Sequence, residues 1–166
     1  MQERQQSKYI NLRNFHNYIK CTLISNCSTY IQKTNKGKPV TLFDISVGRM
    51  GDYHSWNKSK ITYVFGVDPD EESIREANVR LFNIKQKKYN KTNVDLDIGK
   101  ITDDYFEVTF PKFKQFNIVS CQFTIHYFFE KQEMFDNALR RIVESLKPGG
   151  YFIGTTIDGN KMNDVL

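Results

Sequence analysis

The stretch that most constrains the fold of this chain covers residues 40–52. An apolar run at its start is typical of a buried strand, and the run breaks into a short segment that holds Gly48 and Gly51. Glycine permits a sharp turn and lets the backbone approach a ligand closely. A second apolar run, 61–67, ends about twenty residues beyond the turn in Asp68, which is placed to accept hydrogen bonds from ribose hydroxyls. The pattern predicts a nucleotide-like ligand beside the turn, although glycines after a strand are more often plain turns.

Strand and helix patterns alternate along the rest of the chain, which predicts a doubly wound α/β unit with a mostly parallel sheet. Strands are expected from Val40 onwards and over residues 61–67, 93–98, 116–123 and 151–156, with the third at an edge. Helices are expected over residues 9–24, after Pro69 with Ile74, Ala77, Leu81 and Ile84 on one face, and over 134–146, ended by Lys147-Pro-Gly-Gly150. Residues 85–91 should form a basic loop. Ligands of such a sheet bind beyond the carboxyl ends of its strands.

The N-terminal part of the chain is basic, and we predict a helix with a linker over residues 1–39 ahead of a core over 40–166. Its helix carries an apolar stripe that should pack on the sheet, formed by Ile10, Phe15, Ile19 and Leu23. Residues 1–40 hold seven Lys or Arg and one acid, whereas residues 41–166 hold seventeen against eighteen. This excess of positive charge favours a polyanionic partner such as RNA, although a solvated arm has the same composition.

The overall composition excludes several other classes of protein. With 166 residues and 14% aromatic residues, the chain is expected to form one globular domain rather than a disordered one. No run approaches the ~20 apolar residues of a membrane span, and the polar start is no signal peptide. Three cysteines without CxxC spacing argue against a disulfide framework or a zinc site. We therefore expect a soluble, intracellular protein in a reducing compartment.

Four stretches in order along the chain resemble motifs of the mRNA cap (guanine-N7) methyltransferases, which use S-adenosylmethionine to methylate the cap guanine. These stretches are Leu12–Lys20, Asp44–Asp52, Ser120–Tyr127 and Lys147–Thr156. The resemblance implies a Rossmann-like S-adenosylmethionine-dependent methyltransferase fold with capped RNA as partner, and it is compatible with other capping-enzyme domains in the same polypeptide. Residues 68–74 and 155–160 look most like the versions in large cytoplasmic DNA viruses, the poxvirus-like capping enzymes.

Carried over position by position, the resemblance also implies the residues that bind S-adenosylmethionine. They are Lys20, Ser46, Gly48, Asp68, Asp97, Gln122 and Tyr127. Lys20 would face the methionine carboxylate and Asp68 would hold the ribose. Asp97 would lie near the adenine amino group, with Asp95 as the alternative.

A second set of positions matches residues that contact the cap guanosine or its phosphates in the family: His16, Asn17, Arg49, Arg80 and His126. Several of the predicted site residues could instead have structural roles. Lys20 could be a solvated helix lysine, and Arg80 could form an ion pair with Glu76 on a helix face. His126 could be a satisfied core histidine. Trp56 and Phe128 are expected to be packing residues.

The sequence departs from the family pattern at several positions. Ser46 and Met50 stand where glycines are usual, so the backbone can approach the cofactor less freely. Ser55 replaces a common lysine, for which Lys58 or Lys60 could substitute. Family members also continue through two further strands and an acidic residue for the guanine edge, so we expect this chain to be incomplete at its C-terminal end.

The implied chemistry needs neither a general base nor a metal, because guanine N7 carries a lone pair and no proton. Catalysis would come from holding N7, the methyl carbon and the sulfur in line. The sequence leaves two alternatives open. One is a methyltransferase for another small molecule or base, and the other is a non-catalytic, methyltransferase-like module that binds RNA.

Overall fold

The structure is a computed structural model that describes residues 9–35, 37–86, 91–104, 106 and 114–158. Its strands are β1 (Val40–Asp44), β2 (Ile61–Asp68), β3 (Asn93–Ile98), β4 (Phe116–Gln122) and β5 (Leu146–Thr155). Its helices are α1 (Ile10–Thr34), α2 (Tyr53–Lys58), α3 (Glu71–Lys85) and α4 (Gln132–Ser145), with a 3₁₀ helix over Ile125–Glu130.

All neighbouring strands pair in parallel, in the order β3-β2-β1-β4-β5. The predicted doubly wound α/β fold is confirmed, and β3 and β5 lie at the edges. The strand order reverses between β1 and β4, so the crevice that binds ligands in such sheets opens above these two strands. Every residue of β1 and β4 is buried, as expected for central parallel strands.

Helices cover both faces of the sheet. On one face α1, α2 and α3 pack against β1 and β2, and Trp56 of α2 is fully buried there, which confirms its predicted packing role. On the other face α4 covers a cluster in which the rings of Phe43, Phe65 and Phe116 stack, with Phe43 5.5 Å and 5.4 Å from the other two. Phe128 is 6% exposed and belongs to this second cluster.

The predicted packing of the first helix is wrong at Phe15, whereas the other residues of the stripe, Ile10, Ile19 and Leu23, are partly buried. Helix α1 runs ten residues beyond the expected end, and its buried side chains are Ile24, Ser28 and Ile31. Phe15, in the expected stripe, is 58% exposed. A helix of 25 residues is about 37 Å long and a five-residue strand about 17 Å, so the sheet can cover only part of α1. The C-terminal half of α1, which carries Ile24 and Ile31, packs in the core on this face of the sheet.

Other boundaries differ by smaller amounts. Lys147-Pro-Gly-Gly150, expected to end the preceding helix ahead of a strand over 151–156, already belongs to β5, because Leu146 pairs with Phe116. Strand β4 ends at Gln122, since Phe123 adopts a left-handed backbone conformation (φ 62°) that a strand excludes. Helix α2 and the 3₁₀ helix were not predicted. Part of the expected loop over 85–91 lies outside the described residues, and the division at residue 39 stays a prediction.

Candidate functional site at the carboxyl edge of the sheet

The glycine turn after β1 is tied to the end of β2 through Asp68. The Gly48 N–H donates to Asp68 Oδ2 at 2.8 Å, and the Val47 N–H donates to the Val67 carbonyl at 3.0 Å. Gly48 has φ +50°, the left-handed region that favours glycine. Asp68 Oδ1 accepts the N–H of Asp70 at 3.0 Å. Both carboxylate oxygens are therefore held in place from the backbone, one by the turn and one by the start of α3.

Gly66 allows the turn to pack this closely on β2. A Cβ at Gly66 would lie 2.8 Å from Val47 Cγ2 and 3.0 Å from Leu96 Cδ2, distances that side-chain carbons do not tolerate. A glycine inside an apolar strand often marks such an approach of another segment. This is the signal by which the position could have been singled out from the sequence.

A cavity of about 320 Å³ opens next to Asp68, at the carboxyl ends of the strands where the fold class predicts one. Its size falls within the ~300–1,000 Å³ typical of small-molecule sites. It is lined by Ile45, Ser46, Asp68, Pro69, Lys100, Ile101, Thr102, Thr124, Tyr127, Phe128, Glu130 and Met134. Most of the lining surface is apolar although about half of the lining residues carry a polar group, which is a usual composition of a cofactor pocket.

Three of the predicted cofactor-binding residues line this cavity: Ser46, Asp68 and Tyr127. Ser46 follows β1, Asp68 ends β2, and Tyr127 belongs to the segment after β4. Sequence analysis missed the segment after β3, which contributes Lys100, Ile101 and Thr102. The predicted third strand was the signal by which this segment could have been found, because the residues that follow the carboxyl end of each parallel strand come together at one edge of the sheet.

The other four predicted cofactor-binding residues lie outside this lining. Gly48 faces Asp68 through its N–H. Lys20 reaches the turn from α1 but forms an ion pair with Asp52, with Nζ 2.6 Å from Oδ1 and both side chains 14% exposed. Gln122 is buried at the end of β4, where its Nε2 donates to Ser120 Oγ at 3.1 Å and its Oε1 accepts from Thr155 Oγ1 at 3.0 Å.

Neither of the two candidates for the adenine contact lines the cavity. Asp97 lies in a separate hollow beside α3 and accepts the Ile98 N–H at 2.8 Å through Oδ1. Asp95 lies in the same hollow and accepts the Tyr63 hydroxyl at 2.8 Å. The contact between Asp97 and the adenine therefore stays a prediction that requires a change of its side-chain direction.

Asp44, at the end of β1, is a buried carboxyl below the glycine turn. Burial raises its pKa to about 7, and the nearby Asp52 and Asp68 also act to raise it, whereas the Ser46 N–H (3.1 Å) and Lys20 lower it. Three carboxyl groups thus surround the turn, and Lys20 reduces their mutual repulsion. The ion pair between Lys20 and Asp52 accordingly has a structural role in this state of the protein.

The residues predicted to contact the cap lie on the outer side of the turn and above β4. Arg49 Nη1 lies 3.2 Å from Glu76 Oε1, and Arg80 Nη1 donates to the Arg49 carbonyl at 2.8 Å. Glu76 therefore pairs with Arg49 rather than with Arg80, which was the alternative considered from the sequence. The Arg80 guanidinium thus reaches the Arg49 backbone, and both side chains would have to leave their present partners to share a phosphate.

The two predicted histidines approach the segment after β4. The His16 ring lies 4.4 Å from the Phe123 ring, and the His126 ring lies 4.1 Å from the ring of Tyr127, which lines the cavity. His126 Nδ1 is buried with no hydrogen-bond partner among the described residues, so His126 is not the satisfied core histidine of the alternative interpretation. Asn17 is exposed on α1.

Within the part of the chain that the structure describes, no group of His, Cys, Asp and Glu residues could hold a metal ion. No helix in these described ranges has the length and apolar character needed to cross a membrane.

Comparison with known proteins bears on the family to which the chain is similar. A model of the mRNA (guanine-N(7))-methyltransferase domain matches residues 1–166. The mRNA cap guanine-N(7) methyltransferase of Drosophila melanogaster is 33% identical over 167 residues, which cover 94% of this chain and 38% of that protein. The protein of the same name from Eremothecium gossypii is 34% identical over 160 residues, which cover 93% of this chain and 34% of that protein. The chain thus spans less than half the length of these relatives.

A solved structure supports the fold. A S-adenosylmethionine-dependent methyltransferase from Clostridium acetobutylicum superposes with a TM-score of 0.67 at 15% sequence identity, over 96% of this chain and 62% of that one. At this identity the likeness concerns the fold alone.

Proposed function

Since this chain belongs to the family of mRNA (guanine-N(7))-methyltransferase domains, we propose that it transfers the methyl group of S-adenosylmethionine to N7 of the cap guanine. Its fold is that of the S-adenosylmethionine-dependent methyltransferases. The observation that carries the proposal is the cavity at the carboxyl edge, in which Asp68 is oriented by the Gly48 N–H.

In this proposal the cofactor would lie in the cavity with its ribose at Asp68. Asp68 has carboxylate lone pairs left after its two backbone hydrogen bonds, and ribose hydroxyls can donate to them. The apolar walls formed by Ile101 and Phe128 suit a purine ring. Lys20, at the far side of the turn, would then exchange its partner Asp52 for the methionine carboxylate.

The guanosine would approach from the side of His126 and Tyr127. His126 Nδ1 is buried and has no hydrogen-bond partner within the described structure, and a rotation of the imidazole ring would present it to a polar edge of the base. Because N7 needs no deprotonation, the residues of this chain would act by positioning and by electrostatic stabilisation as positive charge moves from sulfur to the guanine ring. No residue is assigned as a general acid or base.

Capped RNA is the proposed partner. The Arg80 guanidinium bonds to the Arg49 backbone beside the turn, and the two side chains would leave their present partners to bind the cap phosphates. The positive excess of residues 1–40 would attract the RNA that follows the cap, through phosphate contacts that do not depend on sequence.

A second candidate function is RNA binding without catalysis, and the altered glycine motif favours it. Met50, at a usual glycine position, has φ 55° and is buried, so a bulky residue occupies a left-handed conformation there. Ser46 lines the cavity and narrows the space available to the cofactor. This candidate predicts salt-sensitive RNA binding and no affinity for the cofactor.

One titration separates the candidates. S-adenosylhomocysteine is titrated into the protein by calorimetry with and without a cap analogue, and methyl transfer to unmethylated capped RNA is then measured. The proposed function predicts cofactor binding, binding of the cap analogue and transfer to N7. A methyltransferase for another substrate would bind the cofactor and ignore the cap analogue, whereas an RNA-binding module would not bind the cofactor.

We further infer a poxvirus-like source from residues 68–74 and 155–160, a cytoplasmic location, and other capping-enzyme domains in the same polypeptide. The relatives from Drosophila melanogaster and Eremothecium gossypii are eukaryotic enzymes and support the family rather than this subgroup. Sequencing the DNA that flanks the gene tests the source and the further domains. A guanylyltransferase domain in the same reading frame would support them, and flanking cellular genes would contradict the viral assignment.

A further inference from the structure

One wall of the cavity is irregular chain. Residues 99–104 follow β3, and Lys100, Ile101 and Thr102 from this segment line the cavity. Its own backbone hydrogen bonds include the Gly99 N–H to the Asp68 carbonyl and the Asp103 N–H to the Lys100 carbonyl, both at 3.1 Å. The first of these bonds runs to β2 and the second lies within the segment, so the buried carbonyl groups of the segment need partners from elsewhere to hold one shape.

Arg141 of α4 supplies those partners. Its Nη1 donates to the Ile101 carbonyl at 2.5 Å and its Nη2 to the Asp104 carbonyl at 2.8 Å. Its guanidinium lies over the Phe106 ring, with Cζ 5.2 Å from the centroid. The fork of the guanidinium thus spans the segment from one side, while the Ile101 side chain lines the cavity on the other.

Asn137, one helical turn earlier on α4, adds to the same contact. Its Nδ2 donates to Asp104 Oδ1 at 2.8 Å and lies 3.4 Å from the Thr102 carbonyl. Two side chains of one helix therefore bind three residues of the cavity wall and its continuation.

The burial of Arg141 requires a reason beyond packing. Arg141 is only 8% exposed, although burying a guanidinium costs free energy that a methionine of similar length would not cost. Its rigid fork can bind two carbonyl groups at a set separation, which lysine cannot do. These properties suit a residue that sets the position of a backbone segment.

We propose that Arg141, supported by Asn137, is a positioning residue for the cofactor: it holds Ile101 and Thr102 as the wall against which the adenosine part binds. Arg141 is not among the residues that line the cavity, so it acts through that segment. The proposal rests on the proposed cofactor site and adds to it a residue that sets affinity from outside.

The test compares Arg141→Met, Arg141→Lys and the control Arg75→Met, which removes an exposed arginine that pairs with Glu72 on α3. Affinities for S-adenosylhomocysteine and for 5′-methylthioadenosine, which lacks the amino-acid part, are measured well below the melting temperature of each variant. Both Arg141 variants are expected to lose about tenfold or more in affinity, by the same factor for both ligands, because a displaced wall affects the adenosine part that they share. Arg75→Met should keep both affinities.

Hydrogen exchange on the ligand-free proteins gives a second readout. In Arg141→Lys the amides of residues 99–104 should exchange faster relative to those of β3, whereas general destabilisation would raise both together. Unchanged ligand affinities, or unchanged relative exchange in this segment, would overturn the proposal. If the unaltered protein does not bind S-adenosylhomocysteine, the cofactor site fails while the exchange result still decides whether Arg141 holds the segment. Should Arg141→Met not fold, Arg141→Lys carries both measurements.

Discussion

The two sides of the glycine turn differ in how their side chains are held. On the cavity side, Asp68 accepts two backbone hydrogen bonds and lies at the end of a strand buried in the sheet. On the outer side, Arg49 and Arg80 are carried by a loop and a helix surface, and their partners are a glutamate side chain and a backbone carbonyl. The cavity side is therefore organised before any ligand arrives, whereas the outer side has charged groups that RNA could recruit from their present partners.

The largest effect should come from Asp68. We expect Asp68→Ala to lower the affinity for S-adenosylhomocysteine by about 100-fold or more, because hydrogen bonds to charged groups contribute about 1.5–3 kcal/mol each and the change also releases the Gly48 N–H. Calorimetry measures the loss. Asp136→Ala, an exposed carboxyl on α4 that accepts from Gln132, is the control and should bind normally. Normal binding by Asp68→Ala would remove Asp68 from the site.

A smaller effect, with a different signature, is expected on the guanosine side. His126→Ala should reduce the rate of methyl transfer to capped RNA by about tenfold or more, within the range of a lost positioning group, and leave the cofactor affinity unchanged. Rapid-quench assays and calorimetry give the two quantities. The exposed His54 serves as the control, since His54→Ala should affect neither. An undiminished rate in His126→Ala would contradict the assignment.

Lys20 has two candidate roles, as a ligand of the methionine carboxylate or as the partner of Asp52 alone, and its replacement distinguishes them. If Lys20 transfers from Asp52 to the methionine carboxylate, Lys20→Met should weaken S-adenosylhomocysteine by about tenfold, as expected for one charge-assisted contact, and spare 5′-methylthioadenosine. Lys33→Met, at the other end of α1, is the matched control. Equal affinities before and after the change would mean that Lys20 serves Asp52 alone.

Asp44 should show its effect in stability rather than in binding. Its pKa, raised to about 7 from an ordinary 3.8, means that the folded state disfavours the charged form. The protonated carboxyl therefore contributes to the free energy of unfolding. This contribution is fully present below about pH 4 and is lost as the pH rises to 7. Asp44→Asn should therefore melt about 5 °C higher than the unaltered protein at pH 8 and almost equally at pH 4.

Thermal melts across this pH range check the prediction for Asp44. The exposed Asp136→Asn should show no such divergence. A constant difference between Asp44→Asn and the unaltered protein at every pH would mean that the carboxyl is not perturbed in the folded state.

The strand ends allowed the sequence analysis to locate part of the cavity lining. Ser46, Asp68 and Tyr127 were predicted and line the cavity, because the carboxyl ends of parallel strands meet at one edge whatever the loops do. Residues carried on helices were less predictable. Phe15 was assigned to a packed stripe and is exposed, since the periodicity of a helix says which residues share a face but not how far along the helix its partner extends.

Side-chain direction explains the remaining differences. Gln122 was correctly placed at the end of β4, yet its amide bonds to Ser120 and Thr155, one of which comes from the neighbouring strand. Asp97 lies near the end of β3 as expected, but its carboxylate lies in the hollow beside α3. Neither direction follows from a linear pattern, because each depends on partners that the sheet order brings next to the residue.

The amino-acid order alone was sufficient for the alternation of elements, the position of the glycine turn and the acid at the tip of the second strand, because these depend on local periodicity and backbone freedom. The tertiary structure decided which acids line the cavity, which cation pairs with the carboxylates around the glycine turn, and which cavity wall Arg141 contacts. Those features depend on hydrogen bonds between residues such as Ile101 and Arg141, which lie 40 positions apart. Such contacts form, and stabilise the protein, only once the chain has folded.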